Sequence, residues 1–264
     1  MTTPNRYVKR TLVSFRGRCP MHCKHCYTYD LDEREEKTIS EIVEETGHES
    51  FDIIYLSQKY ENFYDESQGL ALCQGLYDKY QKDIFIITRS YLSDGLIERL
   101  GNLNRRMQQQ CNQLYIAVSL CADDSYTITE NQMVCPTPHK RLENLRRGRA
   151  YGIKTLLLLR PVFPNAIIPI EECIGILDQA KDFVNAVISS GLIVTNSILE
   201  RLGLDEDHLN YLERGDSEYL SDLEDARYLD VEHELSQICN KCKEKGIPFF
   251  RHSMPALNYL AAMS

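Results

Sequence analysis

The sequence predicts an α/β protein built around a parallel sheet. Six short runs rich in apolar, β-branched and aromatic residues follow one another along the chain, and a helical pattern fills each interval. Neighbouring parallel strands need a crossover connection, and a helix of about a dozen residues supplies one. Residues that start and stop helices sit at several of the junctions.

Taken in order, the first strand-like run is Arg10–Phe15, and a helical segment over Ile39–Thr46 precedes the second run, Phe51–Ser57. Gly69–Gln81 is the next helix and Ile84–Thr88 the third strand. Ser93 and Asp94 open a helix that runs to Gln110, because short polar side chains satisfy the free N–H groups of a first turn. Leu114–Leu120 is the fourth strand. Pro138 then stands where a first turn tolerates proline, ahead of a helix over His139–Tyr151 that Gly152 ends. Lys154–Val162 is the fifth strand, Pro169–Asp182 the next helix and Phe183–Ser189 the sixth strand. From Thr195 onward the pattern is mostly helical, with Glu232–Lys245 and a final short run, Pro255–Ala262.

At 264 residues the chain can bury a sizeable core and reads as an α/β unit over 1–195 with a helical extension over 196–264 packed on it. Apolar residues at 43% and charged residues at 26% place it among ordinary globular proteins. No apolar stretch reaches the ~20 residues of a membrane span, so no membrane partner is expected. Residues 1–6 lack the apolar core of a secretory signal. Ten cysteines in such a chain therefore point to free thiols in a reducing cytoplasm.

The net charge of −9 is unevenly spread. Leu199 to Leu235 holds 13 Asp or Glu against three Arg, while the rest of the chain is close to neutral. That stretch reads as a solvated helical face or, less simply, a dock for a basic partner. His139 to Lys154 has the opposite sign, with Lys140, Arg141, Arg146, Arg147, Arg149 and Lys154 against Glu143. It reads as the outer face of a helix, with a phosphate-binding patch as the alternative.

Directly after the first strand, Cys19, Cys23 and Cys26 stand in a C-x3-C-x2-C array. Three thiolates at this spacing can hold three corners of a four-iron cluster and leave one iron without a protein ligand. An open coordination position is a place for chemistry, whereas a closed one is structural. A zinc site would want a fourth Cys or His at comparable spacing. His22 and His25 are interleaved with the cysteines and are poorly placed to point at the same centre. The competing reading is a non-catalytic metal-binding interaction module, with zinc on the cysteines and the acidic stretch as its docking surface.

The loop resembles the signature of the radical S-adenosylmethionine superfamily, where an aromatic or apolar residue usually precedes the third Cys, as His25 does, and Tyr27 often follows it. The resemblance implies a partial (β/α)6, TIM-like barrel whose functional groups gather at the C-terminal ends of the strands. It implies a 4Fe-4S cluster on Cys19, Cys23 and Cys26, and S-adenosylmethionine bound to the open iron. Reductive cleavage would then yield methionine and a 5′-deoxyadenosyl radical that removes hydrogen from a substrate the sequence leaves unidentified. A reducing partner such as flavodoxin or ferredoxin is implied as well. Facing S-adenosylmethionine, the expected residues are His25, Tyr27, Ser57, Arg89, Ser119 and Arg160, with Arg suited to its carboxylate and Ser to its ribose.

A closer resemblance covers about residues 10 to 165. Tyr55 to Glu61, Ile87 to Asp94, Ala117 to Ser119, Pro136 to Leu142 and Leu159 to Pro164 look like the spore photoproduct lyase-like branch. There a Thr-Lys-Ser motif closes the third strand and a Ser ends the fourth. Thr88, Arg89 and Ser90 correspond to the first, with Arg in place of Lys, and Ser119 to the second. The branch's turn after the second strand keeps only Tyr60. Its hydrogen-donating Cys has no counterpart, since Leu56 and Ser57 stand there. With a net charge of −9 and no strongly basic groove, repair of a nucleic-acid lesion is the less favoured function.

Of the other cysteines, Cys121 and Cys135 flank the loop after the fourth strand and are candidate hydrogen donors to a product radical. Cys239 and Cys242 form a C-x2-C that either fills space or holds an auxiliary metal. Arg251 and His252 are placed to close the barrel mouth.

Overall fold

The computed structural model describes residues 5–15, 17–30, 37–47, 49–56, 59–212 and 225–263. The first part of the chain alternates β1 (Arg10–Val13), α1 (Ile39–Glu45), β2 (Ile53–Leu56), α2 (Glu66–Tyr80), β3 (Asp83–Thr88), α3 (Asp94–Gln108) and β4 (Leu114–Leu120). It continues with α4 (Tyr126–Thr129), α5 (Pro138–Ala150), β5 (Lys154–Val162), α6 (Ile170–Ala180) and β6 (Ala186–Gly191). The remainder supplies β7 (Ile193–Val194), α7 (Asn196–Leu202), β8 (Tyr211–Leu212), β9 (Arg227–Leu229), α8 (Glu232–Glu244), β10 (Phe249–Phe250) and α9 (Ser253–Ala262).

Side-chain caps set most of the helix starts. Thr38 and Glu41 form a reciprocal capping box on α1, and the Ser93 hydroxyl accepts from Leu96 N–H at the head of α3. Asp65 accepts from Ser67 and Gln68, so α2 begins at Glu66 rather than at Gly69. At the other end of α5, Gly152 takes a φ of +73°, a conformation that costs glycine little.

β1 to β6 pair in chain order, all parallel, and β10 adds a seventh parallel strand beside β6. The sequence reading stops at six strands, because the two residues of β10 are too few to show a pattern. It also starts the sixth strand too early. Phe183 lies in the turn after α6, where its carbonyl accepts from Thr155 Oγ1 at 2.6 Å. The extension is less uniformly helical than expected, since β7, β9 and β8 form a small antiparallel sheet.

Both faces of the main sheet are buried, which is why its strands read as continuous apolar runs. Ile54, Leu56, Ile84, Ile86, Leu157 and Leu159 pack in one core with buried residues of the surrounding helices. Their alternates Tyr55, Phe85, Tyr115, Leu156 and Ile188 form the inner core with Tyr7 and with Leu257 and Leu260 of α9. The sheet does not close on itself. Instead, Tyr7 N–H donates to Asn258 Oδ1 at 2.8 Å, and Asn258 Nδ2 donates back to Tyr7 O at 2.9 Å. Inside that seal, the Tyr7 hydroxyl bonds Asp83 and meets the Tyr115 hydroxyl at 2.9 Å. Asp83 starts β3, so this network sits at the N-terminal ends of the strands. The C-terminal ends are left for a site.

Candidate cofactor site

The cysteine loop leaves β1 at that C-terminal rim. His22 holds a φ of +47°, which turns the chain between the first two cysteines. Cys26 N–H donates to Cys23 O at 3.1 Å and Lys24 N–H to Thr129 O at 2.9 Å, tying the loop to the end of α4. From α7, Arg201 Nε donates to Lys24 O and Arg201 Nη2 to Cys26 O, both at 3.0 Å. One arginine of the C-terminal extension thus satisfies two carbonyls of the loop.

Beneath the loop lies a chain of buried charge. Glu130 and Arg141 are almost fully enclosed. Arg141 Nη2 donates to Glu130 Oε2 at 2.6 Å and its Nη1 to Oε1 at 3.2 Å, the paired geometry that favours Arg over Lys. Arg89 donates to the same carboxylate from the other side. Burial alone would push the Glu130 carboxyl up, but Arg141 and Arg89 outweigh it and hold it below the usual carboxylate range. Arg89 Nη2 also reaches His25 Nε2 at 3.2 Å, while His25 Nδ1 meets Thr129 O at 3.1 Å. An imidazole protonated on Nδ1 alone satisfies both contacts. Burial, with Arg89 adding to it, lowers the His25 pKa to about 3 and keeps the ring neutral.

Glu61 anchors the next strand end. Its carboxylate accepts from Thr88 Oγ1 at 2.9 Å, from Phe63 N–H at 3.1 Å and from Arg89 N–H at 2.6 Å. Ser119 Oγ donates to Arg160 O at 3.2 Å, linking the ends of β4 and β5.

These strand ends surround a cavity of about 860 Å³. Cys19, Cys23 and Cys26 share its wall with His25, Tyr27, Arg89, Ser119 and Arg160. The structure therefore brings together every expected site residue except Ser57, which lies outside the described residues. Burial raises the Cys19 thiol to about 12 and pushes Cys26 up as well. Cys23 is raised chiefly by the neighbouring Cys135 thiol, with burial second. Among the described residues no three His, Cys, Asp or Glu side chains gather around one point as a holder for a single metal ion. The three thiols line the same cavity, and a cluster, which takes its ligands on separate irons, does not require them to meet at one point.

Other expectations change in position. Cys121 and Cys135 are buried and do not line the cavity; Cys121 Sγ contacts Glu130 Oε1 at 3.2 Å, and Cys135 packs with Met21 and Cys23 behind the loop. Three arginines of the basic run of α5 are paired within the protein. Arg141 turns inward to Glu130, Arg146 pairs with Glu143, and Arg147 bonds Asp94 and Leu92 O. Cys239 and Cys242 lie on α8 without further ligands among the described residues. Much of the acidic stretch, residues 213–224, falls outside the described residues. Sequence reading missed Glu130, Arg141 and Arg201 as parts of the site; nothing in a lone Glu or in a run of arginines says which one turns inward.

No family model and no curated protein matches the sequence. Solved structures do match in fold. A mutant of spore photoproduct lyase superposes with a TM-score of 0.64 at 10% identity, covering 91% of this chain and 76% of that one. Spore photoproduct lyase complexed with dinucleoside spore photoproduct gives 0.60 at 12%, covering 90% and 75%. Native anSMEcpe with bound AdoMet gives 0.55 at 13%, covering 92% and 64%. The chain has the fold of these proteins, as the resemblance of its cysteine loop implies.

Proposed function

We propose that a protein with this fold and this loop is a radical S-adenosylmethionine enzyme. The observation that carries the reading is the cavity at the C-terminal strand ends, lined by Cys19, Cys23 and Cys26 together with the polar strand-end residues Glu61, Thr88, Arg89, Ser119 and Arg160. A 4Fe-4S cluster held there would supply the electron that cleaves S-adenosylmethionine to the radical that attacks the substrate.

The chain's own part is to hold, orient and keep dry. Cys19, Cys23 and Cys26 are the cluster ligands. His25, neutral and wedged between Thr129 O and Arg89, fixes the loop from below. Arg89 acts through Glu130 and His25, and its positive charge favours the thiolate of Cys23. Tyr27 and Ser119 stand on the cavity wall beside the cysteines, within the space S-adenosylmethionine would occupy. Two proteins of the same fold, native anSMEcpe with bound AdoMet and spore photoproduct lyase complexed with dinucleoside spore photoproduct, support a bound cofactor and a bound substrate. A low-potential reductant of the flavodoxin or ferredoxin kind would serve the cluster, and the cytoplasm is the fitting compartment. Among the described residues no helix is long and apolar enough to cross a membrane.

The test is anaerobic reconstitution with iron and sulfide, followed by S-adenosylmethionine and dithionite. Formation of 5′-deoxyadenosine, lost in Cys23→Ala, supports the reading. A tightly bound zinc ion with no cofactor turnover would favour the non-catalytic interaction module.

A further inference from the structure

The cavity wall carries more basic than acidic side chains. Its lysine and arginine residues are Arg10, Lys59, Arg89, Arg160 and Arg251, and its one carboxylate among the described residues is Glu61. Glu61 is already spent on Thr88, Phe63 N–H and Arg89 N–H. Arg89 shares the Glu130 carboxylate with Arg141, and Arg251 pairs with Glu232. Arg160 has no such partner: its guanidinium makes no hydrogen bond or ion pair with any described residue, although it stands half-buried at the end of β5. Arg10 adds to its charge rather than cancelling it, and burial with Arg89 and Arg10 nearby lowers the Arg160 pKa to about 10. All this occurs in a chain of net charge −9.

An unpaired, desolvated guanidinium is costly unless a ligand completes it. S-adenosylmethionine carries a sulfonium, an ammonium and one carboxylate, so it is itself a cation. It therefore brings no net negative charge of its own to Arg160. We infer that Arg160, flanked by Arg10, is an anion subsite for the substrate, which therefore carries a phosphate or carboxylate group. This rests on the reading of the cavity as a radical S-adenosylmethionine site. It assigns to the substrate the guanidinium that sequence reasoning placed against the cofactor.

Inorganic pyrophosphate is the probe, titrated calorimetrically into the chain as isolated and after anaerobic reconstitution. Arg160→Gln is expected to weaken pyrophosphate binding by about tenfold or more, the loss typical of one charge-assisted hydrogen bond. Arg160→Lys should retain part of it, and the affinity for S-adenosylmethionine, read by equilibrium dialysis, should stay within about twofold. In the wild type, phenylglyoxal labelling of Arg160 should be slowed by pyrophosphate, a readout that does not require any variant to fold. Labelling of Arg160 that pyrophosphate leaves unchanged overturns the assignment. So does an Arg160→Gln protein that loses S-adenosylmethionine and keeps pyrophosphate, since Arg160 would then serve the cofactor. A wild type that assembles no cluster yet binds pyrophosphate through Arg160 would keep the anion site and remove the enzymatic reading.

Discussion

Arg89 Nη2 lies 3.2 Å from His25 Nε2, at the foot of the cysteine loop. Since His25 Nδ1 is occupied by Thr129 O, the ring presents its acceptor nitrogen to the guanidinium and must stay neutral to do so. Residues from α4, β3 and the loop are joined by this contact. Arg89→Ala is expected to destabilise the fold by about 1.5–3 kcal/mol, the value of a buried charge-assisted hydrogen bond. It should also slow cluster incorporation, because His25 loses its support. Urea denaturation and iron content would measure the two effects; a variant indistinguishable from wild type in both would remove Arg89 from this role.

Glu130 is the common acceptor of Arg89 and Arg141. Glu130→Gln leaves two guanidinium groups without a counter-charge, one of them fully buried, and should cost about 3–5 kcal/mol. The loss should exceed that of Arg89→Ala, where Arg141 still pairs. A reversed order would refute the network.

The same carboxylate gives a pH signature. Its folded pKa is held below the unfolded value, so its contribution to stability is complete above about pH 4.3 and disappears as the pH falls through the folded value. Urea midpoints measured between pH 7 and pH 3 should fall more steeply at the acid end in the wild type than in Glu130→Gln. Parallel curves would show that Glu130 does not titrate below its ordinary value.

Asn258 seals an open barrel that no strand pair closes among the described residues. Asn258→Ala strands a partly buried N–H and carbonyl of Tyr7 and should cost about 1–3 kcal/mol. Hydrogen exchange at Tyr7 and along α9 should rise together while the outer helices stay protected. Exchange confined to α9 would mean that the closure lies elsewhere.

Much of this was legible in the residues, and the reasons differ by element. The runs Leu114–Leu120 and Lys154–Val162 coincide with β4 and β5 because central parallel strands are apolar on both faces and end at polar residues. The cysteine loop was legible because thiol spacing is a local property. β10 was not, since Phe249 and Phe250 become a strand only by lying beside Val187 and Ile188. Nor was the inward turn of Arg141: five basic neighbours on and beside α5 look like a solvated face until Glu130 appears beneath one of them. Long-range pairing of buried charge leaves no periodic trace in a sequence.

The most direct test of the central proposal is electron paramagnetic resonance of the anaerobically reconstituted, dithionite-reduced protein with and without S-adenosylmethionine. A cluster held by Cys19, Cys23 and Cys26 with one iron open should give a reduced 4Fe-4S signal that changes when the cofactor binds. A signal that S-adenosylmethionine leaves untouched, or a cluster that survives intact in Cys19→Ala, Cys23→Ala and Cys26→Ala alike, would contradict it.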